Sequence, residues 1–372
     1  MPGLAPDQRL LFRRFRQTAF HFKHRRGALI ACGMVALLVL IALMQVGVQY
    51  LMNLWTRDFF NALESHDRRQ LLGHAGEFAS LAAGSVVLMV ASVWARMLAQ
   101  RSWRAKLTRD VMRAWLSNDH FRHLDPLHQG NENPEFRIAE DVRVATEAPV
   151  DLGMALFISA TTATIFFEVL WEVGGGLPLQ VRGLSLYIPA YLVISVVLYS
   201  FLVTSGMLWV GRRMTDVIQD KNQAEAEFRA AATVVREIGE GRTSIDAAAA
   251  RDGLRHALPP VFFQWRALSR QLMRITWVSH ANFLLTPVVA WFLCAPKFLA
   301  GSMSLGELTQ ASAAFVTVVG AFNWLVDNFQ RLADWTSAVD RVATLLLALD
   351  EVAAGDAADG LTPSAASPPP PS

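Results

Sequence analysis

Five ionisable residues stand inside or at the ends of long apolar runs, and they are the first candidates for chemistry. Glu168 lies within the run 150–171, toward its far end, and Glu172 comes four residues later on the same helical face. Two carboxylates one turn apart raise each other's affinity for a proton. His280 stands in the run 276–296, and an imidazole titrates near neutral pH. Glu307 opens the run 307–330, and Asp327 lies roughly 30 Å further along the same helical path. Acids within apolar spans are expensive, so this set points to proton movement. Gln45, Gln49, Asn282, Gln310 and Asn323 are uncharged polar residues in the same runs. They would line a wet cavity or hydrogen-bond one helix to another. No His-Glu-x-x-His, metal-spaced Cys or nucleophile elbow occurs, so neither catalysis nor a cofactor is expected. Cys32 and Cys294 read as small buried hydrophobes, and His120, His123 and His128 as loop residues.

The elements that must position these side chains are the runs themselves. The chain has 372 residues, a mean hydropathy of +0.29 and 18% charged residues, against about 25% in soluble domains. A span needs roughly 20 apolar residues. Six stretches qualify, at 27–52, 78–95, 150–171, 187–210, 276–296 and 307–330, the second short and the sixth the most polar. The expected fold is an all-α membrane protein with six transmembrane helices. Of the 34 Lys and Arg residues, 29 fall on one side of these spans. That side is cytosolic by the positive-inside rule, which puts both termini there. The expected location is a bacterial inner membrane, crossed several times. The first run is too long for a cleavable signal. Topology accounts for the basic surfaces, so nucleic acid is not an expected partner.

The two inward loops, about 55 and 65 residues, are far longer than the outward ones. In 96–117, Leu107, Val111, Ala114 and Trp115 recur at helical spacing, and 212–240 holds no Pro or Gly until Gly239. Both loops therefore read as membrane helices continuing deep into the cytosol. Residues 1–26 form a basic segment in which 9–26 reads as an amphipathic helix on the inner leaflet. The membrane domain is expected over 27–349, and the Pro-rich stretch 350–372 as a disordered tail.

One polar segment, NENPEFRIAEDVR at 131–143, interrupts the apolar pattern. Asn133 is a candidate cap for a helix beginning at Pro134, with Glu135 in its first turn. Ile138 and Val142 form one apolar stripe, with Arg137, Glu140, Asp141 and Arg143 on the other faces. Arg137–Asp141 and Glu140–Arg143 have the spacing of helical ion pairs. The segment reads as a salt-bridged helix start or a docking surface.

These motifs carry a resemblance. LMNLWTRDFFNALESHD (51–67), RSWRAKLT, WLSNDHFRHL and NPEFRIAEDVR, and after them NQAEAEFRAAATVVRE (222–237), APKFLAGSMSLGELTQ (295–310) and FNWLVDNFQRLADW (322–335), together resemble the membrane domain of the ABC transporter superfamily. The branch is that of SbmA/BacA-like peptide transporters and peroxisomal-type half-transporters. The resemblance implies a six-span exporter-type domain working as a homodimer around a central cavity. It also implies that Asn133, Pro134, Arg137, Glu140, Asp141, Glu225, Glu227 and Arg229 belong to loops that dock or support an ATPase. About 40 residues lie beyond Gln330, and no GxxxxGK[ST] occurs; Gly239–Thr243 lacks the lysine and the spacing. The expectation is therefore an SbmA/BacA-like transporter that moves peptides or peptide-like compounds with protons. The alternative is a membrane subunit that uses a separately encoded ATPase.

Overall fold

The structure, a computed structural model, describes residues 6–20, 25–123, 133–181, 184–242 and 246–358. Six helices in it are long and apolar enough to cross a membrane, as the hydropathy pattern requires. In a bilayer core every backbone polar group must be satisfied internally, and a helix does this within one segment.

After α1 (Pro6–Phe20) come α2 (Arg25–Glu64) and α3 (Arg68–Leu116), which carry spans 1 and 2. The turn between these two puts His66 at φ +57, and the Asp67 carboxylate caps α3 by accepting from the N–H groups of Arg69 and Gln70. Trp55 holds this end together. Its indole N–H donates to the His74 carbonyl at 2.7 Å, and its ring meets Phe59 and Phe78 at 5.0 Å. The α3 chain ends in a tight turn at Ser117–Asp119 and the short α4 (His120–His123). Two helical pieces, α5 (Pro134–Phe136) and a wide π turn at Arg137–Asp141, lead into α6 (Val142–Gly174), which carries span 3.

Beyond α6 the chain departs from the all-helical expectation in one small element. Strands β1 (Gly176–Val181) and β2 (Leu184–Pro189) pair antiparallel, and α7 (Tyr191–Gly211) then carries span 4. The helices α8 (Met214–Gly239) and α9 (Ala247–Leu299) form the second long loop and span 5. At 53 residues, α9 measures about 80 Å. It runs unbroken through Pro287. The sixth span is not one helix: α10 (Leu305–Phe322) stops at Asn323, and α11 (Trp324–Ala358) starts afresh. The Asn323 N–H closes α10 on the carbonyls of Val319 and Ala321.

The chain divides into two compact units. The first runs up to Ile165 and resumes at Asp327. Its main core gathers Leu107 and Val111 of α3, Val142 and Ala145 of α6, and Val342 and Leu346 of α11. Into this core α1 inserts Phe15, 2% exposed, and Ala19, which is fully buried. Leu11 and Phe12 of the same helix pack against this core as well. Helix α11 continues to Ala358, and Asp350 receives Arg14 of α1 in a two-pronged ion pair.

The second unit covers Phe166–Val326. Here α10 packs against α9 and α7 and buries Gln310, Ala314, Phe315 and Val318. Small residues let this most polar of the spans take the most buried position. The α8–α9 hairpin is pinned by Glu225, which accepts from the Trp265 indole and pairs with Lys221, whose ammonium lies over the Trp265 ring. Cys294 is fully buried, as expected, but Cys32 is exposed on α2.

Candidate functional site

The best-organised polar site in the first unit lies on the basic side of the spans, around the segment that interrupts the apolar pattern. Pro134 opens α5 as predicted, but the cap differs. Asn133 sits at φ +52, its side chain makes no capping bond, and its carbonyl takes the N–H groups of Phe136 and Arg137. In the π turn, the Val142 N–H bonds to the Arg137 carbonyl, five residues back. One extra residue in the turn rotates the start of the segment relative to α6, and such turns recur at functional positions. The consequence bears on two of its charges. Arg137 and Asp141 do not stand on a solvated face; both are buried beside Ile138 and Val142.

Asp141 is instead gripped by Arg341 of α11, with bonds of 2.9 and 2.7 Å to its two oxygens. Arg137 donates to the Arg341 carbonyl at 3.2 Å. The Glu140–Arg143 pair forms as its spacing predicts, and Arg143 also reaches Glu147 at 2.7 Å. The network continues up α6. Arg104 and Gln100 of α3 approach Glu147, and Gln100, Arg96 and Arg331 converge on Asp151. Three helices, α3, α6 and α11, are thus tied by charge at the base of span 3. Exposed pairs are individually weak, whereas removing one partner of a buried carboxylate is costly. Sequence reasoning missed Arg341, Asp151 and Arg331.

The proposed proton carriers are not brought together. Glu168 and Glu172 are exposed on α6, one turn apart, and among the described residues neither has an ion-pair partner. His280 is exposed on α9 and stacks on Phe283. The Glu307 carboxylate accepts the Ser304 N–H in a capping box, so it serves the start of α10. Asp327 is exposed near the start of α11. Among the polar candidates, Gln45 reaches the Met89 sulfur at 3.9 Å, Gln49 accepts from Thr162 at 3.5 Å, and Gln310 is buried. Asn323 is the break in span 6. In the second loop, Glu227 receives Gln223, and the Arg229 carbonyl receives Thr233.

Asn282 does gain a partner that the sequence did not indicate. The Tyr199 hydroxyl of α7 donates to Asn282 Oδ1 at 3.0 Å and lies 3.2 Å from Thr286 Oγ1. Thr286 itself donates to the Asn282 carbonyl at 2.7 Å. This knot ties spans 4 and 5 inside the apolar layer. Tyr199→Phe is expected to lower stability by about 1 kcal/mol, the net worth of one such bond. Thermal unfolding in detergent checks it, and an unchanged midpoint would count against the knot.

With this arrangement in view, comparison with known proteins identifies its origin. The model of the ABC transporter transmembrane region 2 matches residues 28–299. The chain belongs to that family. Relatives of this ABC transporter membrane region include the inner membrane ABC transporter ATP-binding protein YddA of Escherichia coli. That protein is 29% identical over 83% of this chain and 56% of its own length. ABC transporter D family member 2, chloroplastic, of Arabidopsis thaliana is 21% identical over 92% of this chain and 46% of its own. The chain therefore spans about half the length of these curated relatives. The family accounts for the six spans, the long helical loops and the multi-pass character.

Proposed function

We propose that this chain is the translocating membrane part of an ATP-driven ABC transporter in an inner membrane, acting as a homodimer. The observation that carries the reading is the family match to relatives whose names describe ATP-binding proteins, of which this chain spans the membrane half. The base of the first unit suits the role. Helix α11, which leads away from span 6, is bolted to span 3 through Asp141–Arg341, so force applied to one helix reaches the other. On this reading the loop residues Arg137, Glu140, Asp141, Glu225, Glu227 and Arg229 are structural supports near an ATPase contact.

A second reading is supported by a different observation. Glu168 and Glu172 stand exposed on an apolar helix, as carriers in a proton-coupled, SbmA/BacA-like transporter of peptides would. His280, Glu307 and Asp327 would then serve the same path, with Gln45, Gln49, Asn282, Gln310 and Asn323 toward the cavity.

Two measurements separate the readings. The tagged chain, isolated from its own membrane in mild detergent, is expected to bring vanadate-sensitive ATP hydrolysis with it. In liposomes, the purified chain alone is expected not to take up a fluorescent Pro-rich peptide under an imposed pH gradient, and Glu168→Gln is expected to change nothing. Gradient-driven uptake without ATP, lost in Glu168→Gln, would overturn the ATP-driven reading and establish the other.

A further inference from the structure

The two compact units treat their arginines differently. In the first, Arg96 and Arg331 meet Asp151, and Arg104 and Arg143 meet Glu147. In the second, Arg212 and Arg213 follow the apolar run 187–210, and Arg266, Arg270 and Arg274 lead into the run 276–296. All five are exposed. Among the described residues, none of the five forms an ion pair with a carboxylate, although Asp216 and Asp220 stand exposed on α8. No Asp or Glu at all occurs between Asp252 and Glu307.

The fold also gathers these charges. Arg266, Arg270 and Arg274 recur at every fourth position, so they share one face of α9. The side-chain amide of Gln271, which is 3% exposed, donates to the Val210 carbonyl at 2.6 Å. Deeper in the spans Tyr199 meets Asn282, so α7 and α9 run antiparallel. Arg212 and Arg213 therefore lie at the level of Arg266 and Arg270. Like charges one turn apart on a helix repel each other. Topology accounts for positive charge on this side. It does not require the charges to stay unpaired or to share a face. An anion from outside the chain would offset their repulsion.

The flanks indicate which anion. Trp277 follows Arg274 by three residues, on the same face, and is 75% exposed; Met273 is exposed one turn before it. On α7, Trp209 is 66% exposed, and the Arg212 guanidinium lies 5.7 Å from its ring centroid. Tryptophan gathers where bilayer meets water. A phosphate and an apolar chain joined in one molecule would match both parts of this surface. Guanidinium groups grip phosphate in a two-pronged manner, and arginines beside a bilayer favour headgroups with a net negative charge. The geometry points to a binding site for an anionic phospholipid. Arg270, Arg274 and Arg212 hold its phosphate, and its acyl chains lie along Trp277 and Met273. The inference needs only that the chain crosses a bilayer, so it stands under either reading of transport.

The test uses the full chain in phosphatidylcholine vesicles. These carry a trace of phosphatidylglycerol, or of phosphatidylcholine, spin-labelled near the end of one acyl chain. Electron paramagnetic resonance reads the fraction of label immobilised on the protein. The unaltered chain is expected to prefer phosphatidylglycerol several-fold. Arg270→Gln with Arg274→Gln is expected to remove most of that preference. Arg251→Gln with Arg255→Gln takes the same charge from the same helix further from the bilayer, and is expected to leave the preference unchanged. All four positions are exposed, so packing is spared. Excess glycerol phosphate in solution is expected to have no effect. Equal immobilisation of the two lipids by the unaltered chain would overturn the proposal. An equal loss in the distant pair would also overturn it, because net charge alone would then be acting. Loss of the preference on adding glycerol phosphate would overturn it in favour of a site for a soluble phosphate compound.

Discussion

Arg341→Ala is expected to destabilise the chain by about 3–5 kcal/mol, the range for leaving one member of a buried ion pair alone. Asp141→Ala is expected to cost less. The asymmetry comes from where each partner stands. The Asp141 side chain is 2% exposed, whereas that of Arg341 is 47% exposed. Without the guanidinium, the buried carboxylate loses its two-pronged pair, and that share of its desolvation goes uncompensated. Without the carboxylate, the guanidinium still meets water. Arg341→Lys is expected to restore little, because an ammonium cannot match the two-pronged geometry. Unfolding midpoints in detergent for both single variants and the double variant check this. A coupling energy near zero, or equal costs for the two singles, would show that the pair does not hold α6 to α11. Under the ATP-driven reading, the same Arg341→Ala chain is expected to uncouple transport from hydrolysis even in the fraction that folds.

Phe15→Ala is expected to release α1 from the first unit, at about 3 kcal/mol, the low end for truncating a buried phenylalanine. The low end applies because the freed helix is amphipathic and finds partial compensation on the bilayer surface. Phe15 is 2% exposed and packs in the core shared by α3, α6 and α11. Two further bonds hold the same helix. The Trp103 indole and the Lys106 ammonium both donate to the Ala19 carbonyl. Trypsin reports the outcome directly: cleavage after Arg13, Arg14 and Arg16 is expected to speed up many-fold in the variant. Unchanged cleavage would mean that α1 is held by its charges, including Arg14–Asp350, and not by its apolar face. Arg14→Ala is expected to have the smaller effect of the two, since that pair is partly open to solvent.

Both results bear on what was legible in the residues alone. Span number was legible because the bilayer imposes a local rule of about 20 apolar residues per crossing. The helical character of the two long loops was legible for a similar reason. Leu107 and Val111 recur at helical spacing, and both are fully buried in the structure. The start at Pro134 and the Glu140–Arg143 pair were legible because each depends on residues within one turn. The family resemblance rested on motif order along the chain, and the family match confirms it over 28–299.

Other features were decided by distant partners. The amphipathic pattern of α1 says that one face must be buried, not whether lipid or protein buries it. The spacing of Arg137 and Asp141 permits a helical ion pair, but one π turn changes the facing of both, and Asp141 pairs 200 residues away. The break at Asn323 left no mark in hydropathy, which averages across it. Tyr199 reads as one more apolar residue until α9 places Asn282 beside it. The sequence by itself determined the spans and the family, because the membrane acts on each segment separately. The tertiary structure alone decided which charges meet and which apolar faces are covered by protein. Those outcomes depend on helices hundreds of residues apart packing side by side, and no local pattern encodes them.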